Sequence, residues 1–388
     1  MKKEVYDIIV CGAGPAGAEF ARYVTENSKY SVLVLDRTDK IGYPAKSTAG
    51  TTKEFLDEFK IPKSVYVSKL NSAVIQGPNE TSTHPYDGYV LDFAKFKKFL
   101  VNEAIKNGAK IIIKADVTKP IIENNKITGV EYTKNGKIYS TYGRIIVDAT
   151  GPSAVLAKEL GLVKFTSNEH LVGIEYEMNN LKLEQQDAMI FKFDRNLAPG
   201  GYSWIFSTGK NKARVGICWV SEFFKAERGK GSQIEHLNHW IKTDNRLKSG
   251  KILETHGGDA FYELVKQKST DNFLAIGDSA SCIHPTTGEG IRPGLYSSMF
   301  AAKTAIEALD RKDTSASQLK KYDKKWNETI GKNRKLILFA TKKLYELSNK
   351  QYDKFVANTG KLDSETVKRF MNYQTTLKDA LKLYPFFS

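Results

Sequence analysis

Apolar positions fall into short unbroken runs near the start of the chain. Residues 6–11 (YDIIVC) form one run, a glycine turn follows, AGAEFARYVTEN has helical spacing, and SVLVLD at 31–36 is a second run. Runs too short for helices and apolar on both faces are strands of a buried parallel sheet, so the stretch reads as a strand–helix–strand unit. Residues 95–108 (KFKKFLVNEAIKNG) have an amphipathic helical period that Gly108 ends, and KIIIKADV, KITGVEYT and GRIIVDAT supply further strands. Between residues 168 and 222 the pattern changes to alternation. In LVGIEYEM, Val172, Ile174, Tyr176 and Met178 share one face and Glu175 and Glu177 the other, the mark of antiparallel sheet, which YSWIF and RVGICWV continue. FLAIGD at 273–278 returns to a buried parallel strand, so the first domain is discontinuous. From residue 292 onward the signals are helical, through LYSSMFAAKTAIEALD and KLILFATKKLYEL. Asp363 and Ser364 are placed to cap a last helix that runs to the apolar end Tyr384-Pro385-Phe386-Phe387.

Composition narrows the class. A chain of 388 residues, 41% apolar and 27% charged, is long enough for two interlocked globular domains and carries no low-complexity tract. Cys11, Cys218 and Cys282 lack any paired spacing, so neither a disulfide framework nor a metal site is indicated, and a cytoplasmic setting fits. The basic start enters a glycine turn too soon for a signal peptide, and no apolar run reaches membrane-spanning length. The net charge of +15 is uneven: residues 311–388 hold 18 Lys and Arg against 8 Asp and Glu. Such a tail is either a solvated helical face or a peripheral contact with an anionic membrane; nucleic acid is not expected as a partner.

Gly12-Ala13-Gly14-Pro15-Ala16-Gly17 matches GxGxxG between a strand and a helix. The first glycine makes a tight turn, the second lets backbone approach a pyrophosphate, the third packs helix on strand, and the helix N-terminus faces the phosphates. Asp36, followed by Arg37, ends the second strand, where a carboxylate meets an adenosine ribose. This signature alone does not separate FAD from NAD. A second one does: FLAIGD ends in Gly277-Asp278, and Pro285, Gly288, Gly290 and Ile291 precede another helix. An aspartate so placed binds a ribityl chain, and the glycine-rich helix start brings N–H groups and a positive dipole end to a flavin ring. The cofactor is therefore read as FAD. The fold class is α/β, with a discontinuous Rossmann-like FAD-binding domain (1–75, 91–165 and 265–315), an antiparallel β-sheet substrate domain (76–90 and 166–264) and a basic C-terminal helical region (316–388).

With Asp148-Ala149-Thr150-Gly151-Pro152-Ser153 as a third element, the chain resembles, over residues 5 to 300, the flavoproteins that include the aromatic hydroxylases and the geranylgeranyl reductases. The hydroxylases read Asp-Gly followed by a serine and an arginine where this chain has Asp148-Ala149 and Leu156. Tyr202-Ser203-Trp204-Ile205-Phe206-Ser207 looks like the substrate-cavity motif Tyr-x-Trp-x-Phe-Pro of geranylgeranyl reductases, with Ser207 in place of the proline. Period two puts Tyr202, Trp204 and Phe206 on one strand face, a wall for a polyprenyl chain or simply core. Two departures stand out. Ser47 occupies the place of a cysteine found in archaeal members, and Phe93 that of an arginine before the first-domain helix.

The resemblance implies an FAD-dependent oxidoreductase acting on CH–CH groups: hydride passes to an isolated alkene of a geranylgeranyl lipid, and an acid protonates the other carbon. Tyr202, Trp204 and His284 are the expected catalytic residues, and Tyr202, Trp204, Phe206 and Ser47 the expected substrate contacts. The acid stays open among Tyr202, His284 and a flavin-bound water, and the electron donor among ferredoxin, NAD(P)H and a deazaflavin. Two rival readings remain: an oxygen-using hydroxylase, epoxidase or halogenase, and a non-catalytic prenyl carrier.

Overall fold

The computed structural model describes residues 5–45, 47–226, 231–371, 373–376 and 378–379. They fall into two compact units, one within Met1–Pro44, Ala94–Phe165 and Ala260–Lys332, the other within Ala45–Phe93, Thr166–Asp259 and Asn333–Ser388.

In the first unit the strand order is Ser269–Thr270, Phe273–Ala275, Lys137–Asp148, Val5–Cys11, Val32–Asp36, Lys110–Ile113. All pairings of this row after the first are parallel, with Ile8 opposite both Val32 and Ile145. Ile8, Ile9, Val10 and Cys11 are fully buried, which is why their run shows no alternation. Helix Pro15–Asn27 crosses over from the first strand to the second. The chain builds outward on one side of Val5–Cys11 and then on the other, so the order reverses beside that strand; ligands of open α/β sheets bind at such a point, past the carboxyl ends of the strands. Asp116–Glu123, Lys126–Lys134 and Lys137–Asp148 form a meander. Its two-residue turns, Asn124-Asn125 and Asn135-Gly136, all have positive φ, the twist that matches right-handed strands. Helix Phe93–Lys106 ends as expected at Gly108, whose φ is +104°.

The second unit is an eight-stranded sheet ordered Lys251–Phe261, His170–Asn179, Lys212–Val220, Gly201–Gly209, Ala188–Lys192, Tyr66–Gln76, Thr81–Leu91, Gly50–Thr52. Antiparallel pairing holds where the alternation predicts it, but Ala188–Lys192 runs parallel to Tyr66–Gln76. One face packs Met178, Ile205, Val215 and Ile217 against Leu237 and Trp240 of helix Gln233–Thr243, which Ser232 and Glu235 cap reciprocally.

Two expectations change. Residues 45–75 belong with the second unit, because Tyr66–Gln76 is hydrogen-bonded between Thr81–Leu91 and Ala188–Lys192. The C-terminal stretch is not a separate region. Helix Ala316–Glu328 joins the first unit, where Tyr322 donates to the Ala275 carbonyl at 3.0 Å, whereas later helices join the second, with Asp353 accepting from the Asn79 and Glu80 amides. Glu175, on the strand face opposite Tyr176 and Met178, is 3% exposed. Asp363 caps helix Ser364–Met371 through the Thr366 amide, while Tyr384-Pro385-Phe386-Phe387 lies outside the described residues. Among the described residues no helix is long and apolar enough to cross a membrane.

Candidate active site

The glycine turn after Val5–Cys11 separates its three glycines by role. Gly12 has φ +114°, and a Cβ there stands 2.2 Å from the Ala149 carbonyl oxygen; a Cβ on Gly17 stands 1.9 Å from the Gly12 oxygen. Both are packing glycines. A Cβ on Gly14 meets no protein atom within 4 Å, and Gly14 has φ −65° and ψ 178°, which any residue adopts. Its glycine is therefore not a demand of the protein's own packing, and fits close approach by a pyrophosphate. Pro15 opens the helix and no side chain caps it, which leaves its positive end to a ligand.

The second signature lies against the first. Gly277 has φ +59° and a Cβ there would stand 2.7 Å from Ala16 Cβ; the Ser298 hydroxyl donates to the Ala16 carbonyl at 2.8 Å. The Gly277 amide donates to Ser297 Oγ at 3.0 Å. Helix Ile291–Asp310 starts at Gly290 with no side-chain cap. Asp278 Oδ1 is 3.1 Å from the position of a Gly290 Cβ, so a side chain there would crowd that carboxylate. Segments some 260 positions apart thus present two uncapped helix starts and a carboxylate together, which fits a dinucleotide with a flavin.

Three of the motif residues also hold the local backbone. Asp36 accepts from the Ala13 amide at 2.6 Å and the Thr38 amide at 2.8 Å, tying the glycine turn to the second strand; Arg37 beside it is exposed. Asp148, fully buried, accepts from the Thr150, Leu156 and Ala157 amides and so anchors the third element. His284 is 2% exposed, and its Nδ1 accepts from the Thr286 and Thr287 amides at 3.2 and 3.3 Å, which places the ring proton on Nε2 and organises the loop leading to Gly288.

In the second unit Tyr202, Trp204 and Phe206 do share a face. Tyr202 and Trp204 rings lie 5.7 Å apart, and Phe191 of the adjacent strand packs 5.7 Å from Tyr202 and edge-on to Phe206 at 5.3 Å. The indole of Trp204 crosses Gly216 of the neighbouring strand, where a Cβ would stand 2.2 Å from Cζ2, and reaches Glu175 one strand further. Its Nε1 donates to Glu175 Oε2 at 3.1 Å. That oxygen also accepts from the Thr48 hydroxyl at 2.5 Å, next to half-buried Ser47, whose own Oγ accepts from the Ala49 amide. Glu175 Oε1 pairs with His256 Nδ1 at 3.0 Å, and His256 Nε2 with Glu254 Oε2 at 3.1 Å. The bond to Glu175 raises the His256 pKa above the usual imidazole value against the effect of burial, and Glu254 adds to the rise. Sequence reasoning passed over Glu175, His256, Thr48 and Phe191. One signal was available: RVGICWV is apolar at successive positions, so its sheet is covered on both faces and a glutamate one strand away is buried too.

Both units together define an FAD-dependent oxidoreductase. The family model for FAD-dependent oxidoreductases matches residues 7–198, that for the geranylgeranyl reductase catalytic domain 170–260, and that for lycopene cyclase 256–386. A digeranylgeranylglycerophospholipid reductase of Haloferax volcanii is 39% identical over 375 residues, 93% of this chain and 90% of the relative. The crystal structure of a geranylgeranyl bacteriochlorophyll reductase-like protein from Thermoplasma acidophilum superposes with a TM-score of 0.88 at 26% identity, covering 98% of this chain and 96% of that one. The chain belongs to the digeranylgeranylglycerophospholipid reductase family. A myxobacterial FAD-dependent halogenase, at 17% identity and a TM-score of 0.71 over 99% of this chain and 97% of its own, shares the fold alone.

Proposed function

We infer that this protein is an FAD-dependent reductase that hydrogenates carbon–carbon double bonds in the geranylgeranyl chains of membrane-lipid precursors. The observation that carries the reading is the buried row Tyr202, Trp204 and Phe206, lying inside the segment that matches the geranylgeranyl reductase catalytic domain, in a chain whose other unit has the glycine turns of an FAD protein.

Gly14, the start of helix Pro15–Asn27, Asp278, and Gly288 through Ile291 would hold the cofactor; reduced FAD, when bound, supplies hydride. The aromatic wall binds the isoprenoid chain by apolar burial and keeps water from it. Aromatic side chains bury 150–250 Å² each, so a wall of this kind holds an unfunctionalised chain without a polar handle. The indole of Trp204 and the phenol of Tyr202 offer π faces to the positive charge that develops on a substituted alkene carbon. Rotation of the indole is blocked by its bond to Glu175, so the face is set before substrate arrives.

A peripheral membrane contact is part of this reading. Helix Arg334–Tyr345 leaves Phe339 51% exposed beside Lys335, Lys342 and Lys343, the combination that associates with anionic lipid surfaces. The function is tested by incubating chemically reduced protein anaerobically with a geranylgeranyl phospholipid and weighing the lipid by mass spectrometry. Mass gains in steps of two hydrogens support it; an unchanged lipid with a yellow, reducible protein refutes the substrate and leaves the flavin.

A further inference from the structure

We propose that Glu175 and His256 form a proton relay that serves the aromatic wall, with Glu254 as its entry from solvent. The proposal rests on the reductase reading, because hydrogenation needs a proton as well as a hydride, and a wall that excludes water has to obtain that proton through the protein.

The geometry is that of a wire. Glu254 has a side chain 68% exposed, His256 one of 8% and Glu175 one of 4%, so the three groups run from solvent inward. The two ring nitrogens of His256 face opposite carboxylates, at 3.1 Å toward Glu254 and 3.0 Å toward Glu175. A proton enters at Nε2 and leaves at Nδ1 without the ring having to turn. Inward of His256, Glu175 touches Trp204 and Thr48, which are the indole of the wall and the loop that carries Ser47. Arg214 of the neighbouring strand opposes protonation of His256 by its charge, and Glu177, on the strand of Glu175, pairs with Arg214 at 3.5 Å.

The step balances. FAD, when bound and reduced, would supply the hydride for one C–H bond and be oxidised in doing so; the other alkene carbon would take the proton of a protonated Glu175, whose O–H bond breaks as the second C–H bond forms. Glu175 regains a proton from His256, and His256 from solvent by way of Glu254. A buried ion pair that merely pins two strands would occupy the same positions, and the experiment separates the two.

Glu175→Gln keeps an acceptor for Trp204 and the side-chain shape but cannot ionise. It is expected to bind FAD and lipid as the wild type does, with kcat for lipid hydrogenation lowered about 10²–10⁴-fold, the span of a general acid, and KM little changed. Wild-type kcat should fall as pH rises through the raised His256 pKa, and this limb should vanish in His256→Asn. Glu254→Gln, at an exposed position, should slow turnover chiefly at high pH. Nitrogen-resolved NMR of His256 should place its titration above that of a free imidazole, and lower it in Glu175→Gln. Wild-type kcat and an unaltered pH profile in Glu175→Gln would overturn the relay. Should wild-type protein leave the lipid unreduced, the reductase reading fails, whereas the His256 titration still reports on the pair.

Discussion

The three glycines of the first turn should separate protein packing from cofactor binding. For Gly17→Ala the new methyl stands 1.9 Å from the Gly12 oxygen and 3.0 Å from Ala149 Cβ. Backbone has to move, and overpacking of this kind costs about 1–3 kcal/mol. Gly12→Ala adds a left-handed φ of +114° to a 2.2 Å clash and should be worse. Gly14→Ala meets no protein atom within 4 Å at an ordinary φ of −65°, so the flavin-stripped protein should hold its stability or gain about 0.4–1 kcal/mol from a less flexible unfolded chain. The same methyl stands where backbone has to approach the pyrophosphate. Loss of one or two charge-assisted bonds, about 1.5–3 kcal/mol each, weakens FAD about 10- to 100-fold or more. Thermal unfolding of stripped protein and a fluorescence titration with FAD measure the two quantities separately. Wild-type FAD affinity in Gly14→Ala, or destabilisation as large as in Gly17→Ala, would refute the assignment.

Other perturbations have equally definite outcomes. Gly216→Ala should drive the indole off Glu175, lowering stability by about 1–3 kcal/mol with loss of near-ultraviolet dichroism from Trp204. Asp148→Ala leaves three amides, two of them buried, without their acceptor and should cost about 3 kcal/mol or more in denaturant unfolding. Because the folded pKa of His256 is raised, the stability its pair contributes is complete below the unfolded value near 6.5 and is lost as pH climbs through the folded one. Melting temperature against pH should therefore decline over that window in wild type and less so in Glu175→Gln. All three cysteines are buried, and burial pushes Cys218 up to about 12, so a thiol reagent should react only after unfolding.

Where local pattern and tertiary context agree, the sequence was enough. The strand YDIIVC, the turn Gly12–Gly17 and the helix ending at Gly108 follow from burial on two faces, a required positive φ and helical periodicity. The aromatic face of Tyr202, Trp204 and Phe206 follows from period two alone. What failed was whatever depends on partners remote in sequence. Residues 66–76 gain their place from Ala188–Lys192, more than 100 positions away. Motif position marked Asp36 for a ribose and His284 as a proton donor, but it says nothing of the amide bonds that Asp36 and His284 Nδ1 also accept. Glu175 was set on a polar face by alternation, and only the covering of that face by Trp204, Thr48 and His256 makes it a buried carboxyl group.

The most direct measurement is an anaerobic stopped-flow trace of reduced flavin absorbance after mixing the reduced protein with a geranylgeranyl phospholipid. The oxidised spectrum should return without oxygen, in proportion to hydrogens gained by the lipid. A reduced flavin that ignores the lipid and reoxidises only when oxygen is admitted would contradict it and point to oxygen-dependent chemistry on the same fold.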